Sequence, residues 1–200
     1  MADPTTATKL QAVNTILSAI GELPTTQGVL DAGSSADVSM AEQILDEVNR
    51  EVQMEGWHFN TDSKITFTPN ASNLIVVPDN VVRITASGYD ITIRYTGTAR
   101  QLYNKTDNTY EFLSPLTEEA VVVYLFDFYG IPEPAKRYIT IRAARLFQDR
   151  MVGSASHHKF SERDEFKALL DLKEYEGSTA RDNIFSDVGV FNIIKRGSIL

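Results

Sequence analysis

Between Asn49 and Asn60 the apolar residues of this chain change period. Upstream, Ala41, Ile44, Leu45, Val48 and Val52 recur at intervals of three and four, the spacing that lines one face of a helix. Downstream, Trp57 and Phe59 flank His58 at a spacing of two, the period of an extended strand. Gly56 stands between them, and a glycine just past the last periodic residue can end a helix in the left-handed conformation without a side-chain clash. The chain must therefore join a helical layer to a sheet at this point. Trp57, the single tryptophan, is expected to plug the core at that helix-sheet junction with Phe59 beside it; a ligand-stacking role for the indole is the alternative.

With 200 residues the chain can bury a core as one domain or as two small ones. The absence of cysteine excludes disulfides, thiolate metal sites and a cysteine nucleophile. The opening Met-Ala-Asp-Pro-Thr-Thr has neither a basic n-region nor an apolar run, so no secretory signal is expected. No apolar stretch approaches the length of a membrane span, so a soluble protein made in a reducing cytoplasm, with no membrane insertion, is the expectation. His157 and His158 are adjacent and His58 is distant, which gives no zinc-type spacing. Phosphate-binding glycine loops, nucleophile elbows and HExxH helices have no match either, and neither cofactor nor metal is expected.

Charge is unevenly placed. The net charge is −8, and residues 1–60 hold two basic side chains, Lys9 and Arg50, against nine acidic ones. Residues 131–181 hold ten basic and eight acidic. An acidic chain is poorly suited to gripping DNA, because phosphate neutralisation needs a basic surface. Within the helix that ends at Gly56, Glu47, Glu51 and Glu55 follow at four-residue steps and Glu42 with Asp46 makes another such pair, an arrangement that repels itself by a few tenths of a kcal/mol per pair. This is either a solvated acidic face or a surface turned toward a basic helix or toward DNA that must slide.

The order of elements can be read along the chain. Asp3-Pro4 offers a cap for a first helix through Leu10, Val13, Ile16, Leu17 and Ile20, closed by Gly21 and Pro24. Residues 25–35 read as an exposed loop, and Ser34 with Asp37 or Ser39 with Glu42 can cap the second helix. From Lys64 to Phe126, about seven short strands separated by Pro69, Pro78, Gly88, Gly97 and Asp107-Asn108 suggest a small antiparallel sandwich or barrel. Ile131-Pro132-Glu133-Pro134 restarts helix. That third helix is apolar around most of its circumference, with Arg137, Arg142, Arg145 and Tyr138 in the remaining sector as partners for the acidic helix. A polar loop at Gly153 to His158 precedes a fourth helix, capped by Ser161 with Asp164 and carrying Phe166, Leu169, Leu170 and Leu172.

These elements make an α+β fold: a four-helix bundle-like helical domain (residues 1–60 and 130–181) interrupted by a β-rich insertion (61–129), followed by an extended segment (182–200). In that last segment Ile184, Phe185, Val188, Val190, Phe191, Ile193, Ile194 and Leu200 need apolar cover, on their own domain or on a partner.

Several blocks carry a resemblance. Ala12-Val13-Asn14, Ile16-Leu17, Ile20-Gly21-Glu22 and Pro24, then Asn49-Arg50, Gln53, Gly56-Trp57 and Phe59-Asn60, resemble the tail tubular protein A family of short-tailed phages. So does the run Ile131-Pro132, Tyr138-Ile139, Ala143-Ala144-Arg145, Phe147-Gln148 and Arg150. The resemblance covers both helical halves, and the Gly-Trp-x-Phe-Asn block is its most specific part. It implies a virion protein of the tail neck, made in the host cytoplasm: a head-to-tail adaptor forming a closed ring of roughly a dozen copies between the portal protein and the tail nozzle (tail tubular protein B), and part of the platform for tail fibres. An acidic lumen would let packaged DNA pass without specific binding. Glu47, Glu51 and Glu55 are its candidate channel-facing carboxylates, and Arg142 and Arg145 are candidates for helix-packing ion pairs. The residues 184–200 named above become candidates for docking on the portal or a neighbouring subunit.

The rival reading is an enzyme, a glycan-degrading tail protein, since glycosidases need only two carboxylates across a sugar. No spacing singles out a pair. Asp127, between Phe126 and Phe128, is the carboxylate with the most apolar neighbours in sequence. A structural protein without catalytic residues is the favoured expectation.

Overall fold

The computed structural model describes residues 6–97, 99–153 and 155–179, the side chains of 117–119 and 155–161 excepted. The first helix, α1, spans Lys9–Ser18. Its cap is Thr8: the Thr8 hydroxyl accepts from the Gln11 amide at 3.2 Å while the Gln11 side chain accepts from the Thr8 amide at 3.0 Å. The cap expected at Asp3-Pro4 lies outside the described residues. Within 25–35, where a loop was expected, a short helix α2 spans Gln27–Ala32 and closes at Gly33 with φ +57°. It adds one buried side chain, Leu30, which is too little to show as periodicity.

The long acidic helix α3 runs over Ala36–Met54. Ser35 is its cap residue, with no side-chain cap bond, so neither expected pairing, Ser34 with Asp37 or Ser39 with Glu42, caps it. Gly56 then takes φ +82° and redirects the chain. Trp57 and Phe59 do not lie on a strand: His58–Asn60 is a 3₁₀ turn, closed by the Asn60 carbonyl oxygen Oδ1 accepting from the Trp57 amide at 2.8 Å. The strand β1 begins one residue later, at Thr61–Phe67.

Among the described residues five strands form, in place of the expected seven or so. They are β1, β2 (Val81–Thr85), β3 (Ile91–Tyr95), β4 (Arg100–Asn104) and β5 (Leu116–Tyr124). Leu74 and Val76 make only single bridges, to Glu111 and Gln101, in a stretch cut short by Pro78. The strands make two antiparallel sheets, one of order β1-β5-β2 and a hairpin β3-β4. A small core of Ile75, Val77, Val81, Ile84, Leu102, Phe112, Leu116 and Val122 lies among them. The Arg100 guanidinium donates to the carbonyls of Pro78, Asp79 and Val81, tying the hairpin to the entry of β2.

Helix α4 (Glu133–Met151) restarts after Pro132, with Pro134 in its first turn. The following loop is shorter than expected: Gly153 takes φ +64°, and α5 spans Ala155–Thr179, so His157, His158 and Ser161 fall inside a helix rather than in a loop and a cap. α1, α3, α4 and α5 share one core, with Val13, Ile16, Leu45, Val48, Val52, Ile139 and Phe147 inaccessible to solvent. Each such side chain contributes about 1.5–3 kcal/mol by leaving water. The halves of the chain before and after the β region thus build a single helical body. Among the described side chains of α5, Ala168 and Leu172 are the fully buried ones, while Phe166 and Leu170, expected in its buried stripe, stand 61% and 48% exposed.

Candidate functional site

Two polar residues interrupt the buried face of α3 one turn apart, Asn49 and Gln53. Gln53 is inaccessible to solvent. Its side chain accepts from the Phe126 amide at 2.8 Å and donates to the Phe126 carbonyl at 2.9 Å, so it closes both backbone groups of the residue that leaves β5. It also donates to the Asn49 Oδ1 at 2.9 Å, and Asn49 donates to the same Phe126 carbonyl at 3.3 Å. Asn60 completes the arrangement by donating to the carbonyls of Gln53 at 2.8 Å and Tyr124 at 2.7 Å. Three amide side chains therefore hold the end of α3 against the chain entering and leaving the β region. Trp57 packs half-buried on the helical core with Phe59, and its indole N–H donates to the Val52 carbonyl at 2.8 Å.

The carboxylates of α3 divide between two neighbours. On one side Lys9 of α1 lies 2.8 Å from Glu42 and 3.1 Å from Asp46, so a single cation relieves that like-charged pair. Burial works against the Lys9 charge, but its hydrogen bonds to Glu42 and Asp46 outweigh this and raise its pKa. On the other side Glu51 lies 2.6 Å from the Arg142 guanidinium and Glu47 3.0 Å from Arg150. The Arg150 hydrogen bond and charge hold Glu47 below the ordinary glutamate value. Arg142 loses by partial burial but gains more from the Tyr138 hydroxyl at 3.0 Å and from Glu51 and Glu165, so its pKa is raised. Arg145 turns to α5: it binds Glu165, with Asp149 at 3.3 Å. A charged seam thus runs from α3 through α4 to α5.

The residues singled out by sequence fall into three places. Glu47 and Glu51 sit on the α3–α4 seam with about half of each side chain in solvent, and Glu55 is exposed with no ion pair among the described residues. Arg142 and Arg145 join different helices to α4 rather than both meeting α3. Arg150, which sequence reasoning passed over as an ion-pair partner, meets Glu47 from one helical end. Ile184, Phe185, Val188, Val190, Phe191, Ile193, Ile194 and Leu200 lie outside the described residues. Asp127 is exposed: Phe128 turns into the helical core and leaves the carboxylate in solvent, so its apolar neighbours in sequence do not enclose it. Among the described residues no three histidine or carboxylate side chains cluster as metal ligands, and no helix is long and apolar enough to cross a membrane.

Two open cavities adjoin this framework. One, of about 360 Å³, lies at the junction between Lys9, Asp46, Asn49, Arg50 and Asp127. The other, of about 510 Å³, is a groove bounded by α1, α4 and α5. In comparison with known families, the model of the tail tubular protein family matches residues 10–182. No curated protein matches the chain.

Proposed function

This chain belongs to the tail tubular protein family, and from that premise we propose that it is the head-to-tail adaptor of a short-tailed phage. Membership makes it a structural component of a virion tail. In the proposed role, about twelve copies close into a ring between portal and tail nozzle, and the ring forms part of the platform for tail fibres. The four-helix body, residues 1–60 with 130–181, would form the wall of the ring, and residues 61–129 would project from it as a small β sandwich. No chemistry is assigned to the chain in this role.

The observation that supports it best is that the family match spans both helical halves, which share one core, together with the acidic excess concentrated in the first of them. A lumen bordered by α3 would repel phosphate with Glu55, while Glu47 and Glu51 keep half of their surface in solvent beside their arginines. Residues 184–200 would supply apolar contacts to portal or neighbour.

Sedimentation of the purified chain, alone and mixed with the portal ring of the same phage, tests the proposal. The expected result is a shift from free chain to a portal-bound ring, lost on deleting residues 183–200. Failure to co-sediment at every salt concentration would refute it.

A further inference from the structure

α5 packs chiefly on α4, and its far end also meets the 3₁₀ turn His58–Asn60. The fastening there is specific: the His58 amide, the first of that turn, donates to Glu176 Oε2. Little else holds the end of the helix. From Lys173 to Thr179 no residue is fully buried; Tyr175 and Glu176 are half-buried and the others exposed.

The fastening also carries a cost. Glu176 Oε1 is shut off from solvent without a hydrogen-bond partner among the described residues, and so is the hydroxyl of Thr61, the residue next after the turn. A buried carboxylate oxygen left in this way costs free energy that is recovered once water reaches it. Glu176 also stands at the negative end of α5, whose last turn holds no basic side chain to offset it.

We infer that residues 173–179 form a strap on the helix–sheet junction, fastened by Glu176 to the His58 amide and poised to lift while the rest of α5 stays on α4. A lifted strap releases the turn through which the chain passes from α3 to β1. Whatever holds or draws on the end of α5 therefore acts on the root of the β region by a route that bypasses α4. By reciprocity, a contact that steadies the turn favours the closed strap. This coupling stands apart from the adaptor reading.

Amide hydrogen exchange of the full chain, resolved by residue in NMR, tests the inference. In the parent, the His58 amide and those of residues 176–179 should open together, on the order of tenfold or more often than the Phe126 amide and those of residues 165–172, at a rate that low urea leaves unchanged. Glu176→Ala should speed His58 exchange by a further factor on the order of ten, as for loss of a bond to a charged acceptor. Glu174→Ala, at an exposed carboxylate two residues away, should leave it unchanged, and Glu176→Gln, which keeps an acceptor, should retain part of the protection. A His58 amide that exchanges only with global unfolding in the parent, or that Glu176→Ala leaves unaffected, would overturn the inference. Opening of the whole of α5 at the rate of its end would also overturn it.

Discussion

Replacing Gln53 by leucine keeps the volume and helix propensity of the site and removes three hydrogen bonds at once. The Phe126 carbonyl keeps a donor in Asn49, so two groups are stranded, the Phe126 amide and Asn49 Oδ1. Stranding a buried polar group costs about 1–3 kcal/mol, or about 2–6 kcal/mol for the two. Leucine returns about 1.5 kcal/mol by apolar burial. The net loss therefore centres near 2.5 kcal/mol, which for a protein of this size lowers the melting temperature by about 5–10 °C.

The assay is thermal and urea unfolding followed by the fluorescence of Trp57, whose indole is bonded to Val52 one residue from Gln53. Because the side chain ties α3 to the exit of β5, the variant should also separate the Trp57 transition from the loss of far-ultraviolet β signal, while the parent shows both together. A melting temperature within about 1 °C of the parent, with the two transitions still coincident, would refute the reasoning, since it would mean that the two stranded groups cost less than leucine recovers.

Three other outcomes follow from the same geometry. Gly56→Ala should destabilise by about 1–3 kcal/mol in urea unfolding, because its φ is +82° and the new Cβ would lie 2.6 Å from Arg83 Nη2 and 3.2 Å from Val123 Cγ2. Glu51→Gln should lose about 0.5–1 kcal/mol in the same measurement, and Glu55→Gln should leave stability unchanged, since only Glu51 has a guanidinium partner. Arg150→Ala should move the Glu47 carboxyl titration, followed by NMR, up toward the ordinary 4.5; the parent value is depressed, so the pair's contribution is complete above pH 4.5 and disappears as pH falls through the lowered value.

The parts of the fold legible in sequence are those where one residue type decides the backbone or where a long stripe meets a core. The apolar stripe of α3, the glycine that ends it and the prolines that open α4 are of this kind. What escaped has a physical reason in each case. α2 contributes one buried side chain, and the 3₁₀ turn at His58–Asn60 depends on an Asn60 bond to Trp57 that spacing cannot reveal. Phe166 and Leu170 fit a helical stripe, yet α5 packs mainly on α4, which buries the narrower strip of Ala168 and Leu172. The amide clamp did leave a trace: Asn49 and Gln53 stand beside Val48 and Val52, a polar pair one turn apart on an otherwise apolar face. A buried amide pair at that spacing needs partners from elsewhere in the chain, and here they are the backbone groups of Phe126.

The placement of charge limits how the acidic helix could serve the channel of the proposed ring. Lys9 takes Glu42 and Asp46, Arg150 takes Glu47 and Arg142 takes Glu51, so four of the six carboxylates from Asp37 to Glu55 have a cation within 3.1 Å. Matched pairs project little field beyond a Debye length of about 8 Å at physiological salt, whereas Glu55 acts as a full charge. A wall made from this face would be only weakly repulsive to DNA, and removing Arg142 or Arg150 to strengthen the repulsion would strip the seam that joins α3 to α4. In the proposed ring, stability and lumen charge would therefore be coupled through the same two arginines, and Glu55 is the carboxylate of this series whose replacement would change the lumen without changing the fold.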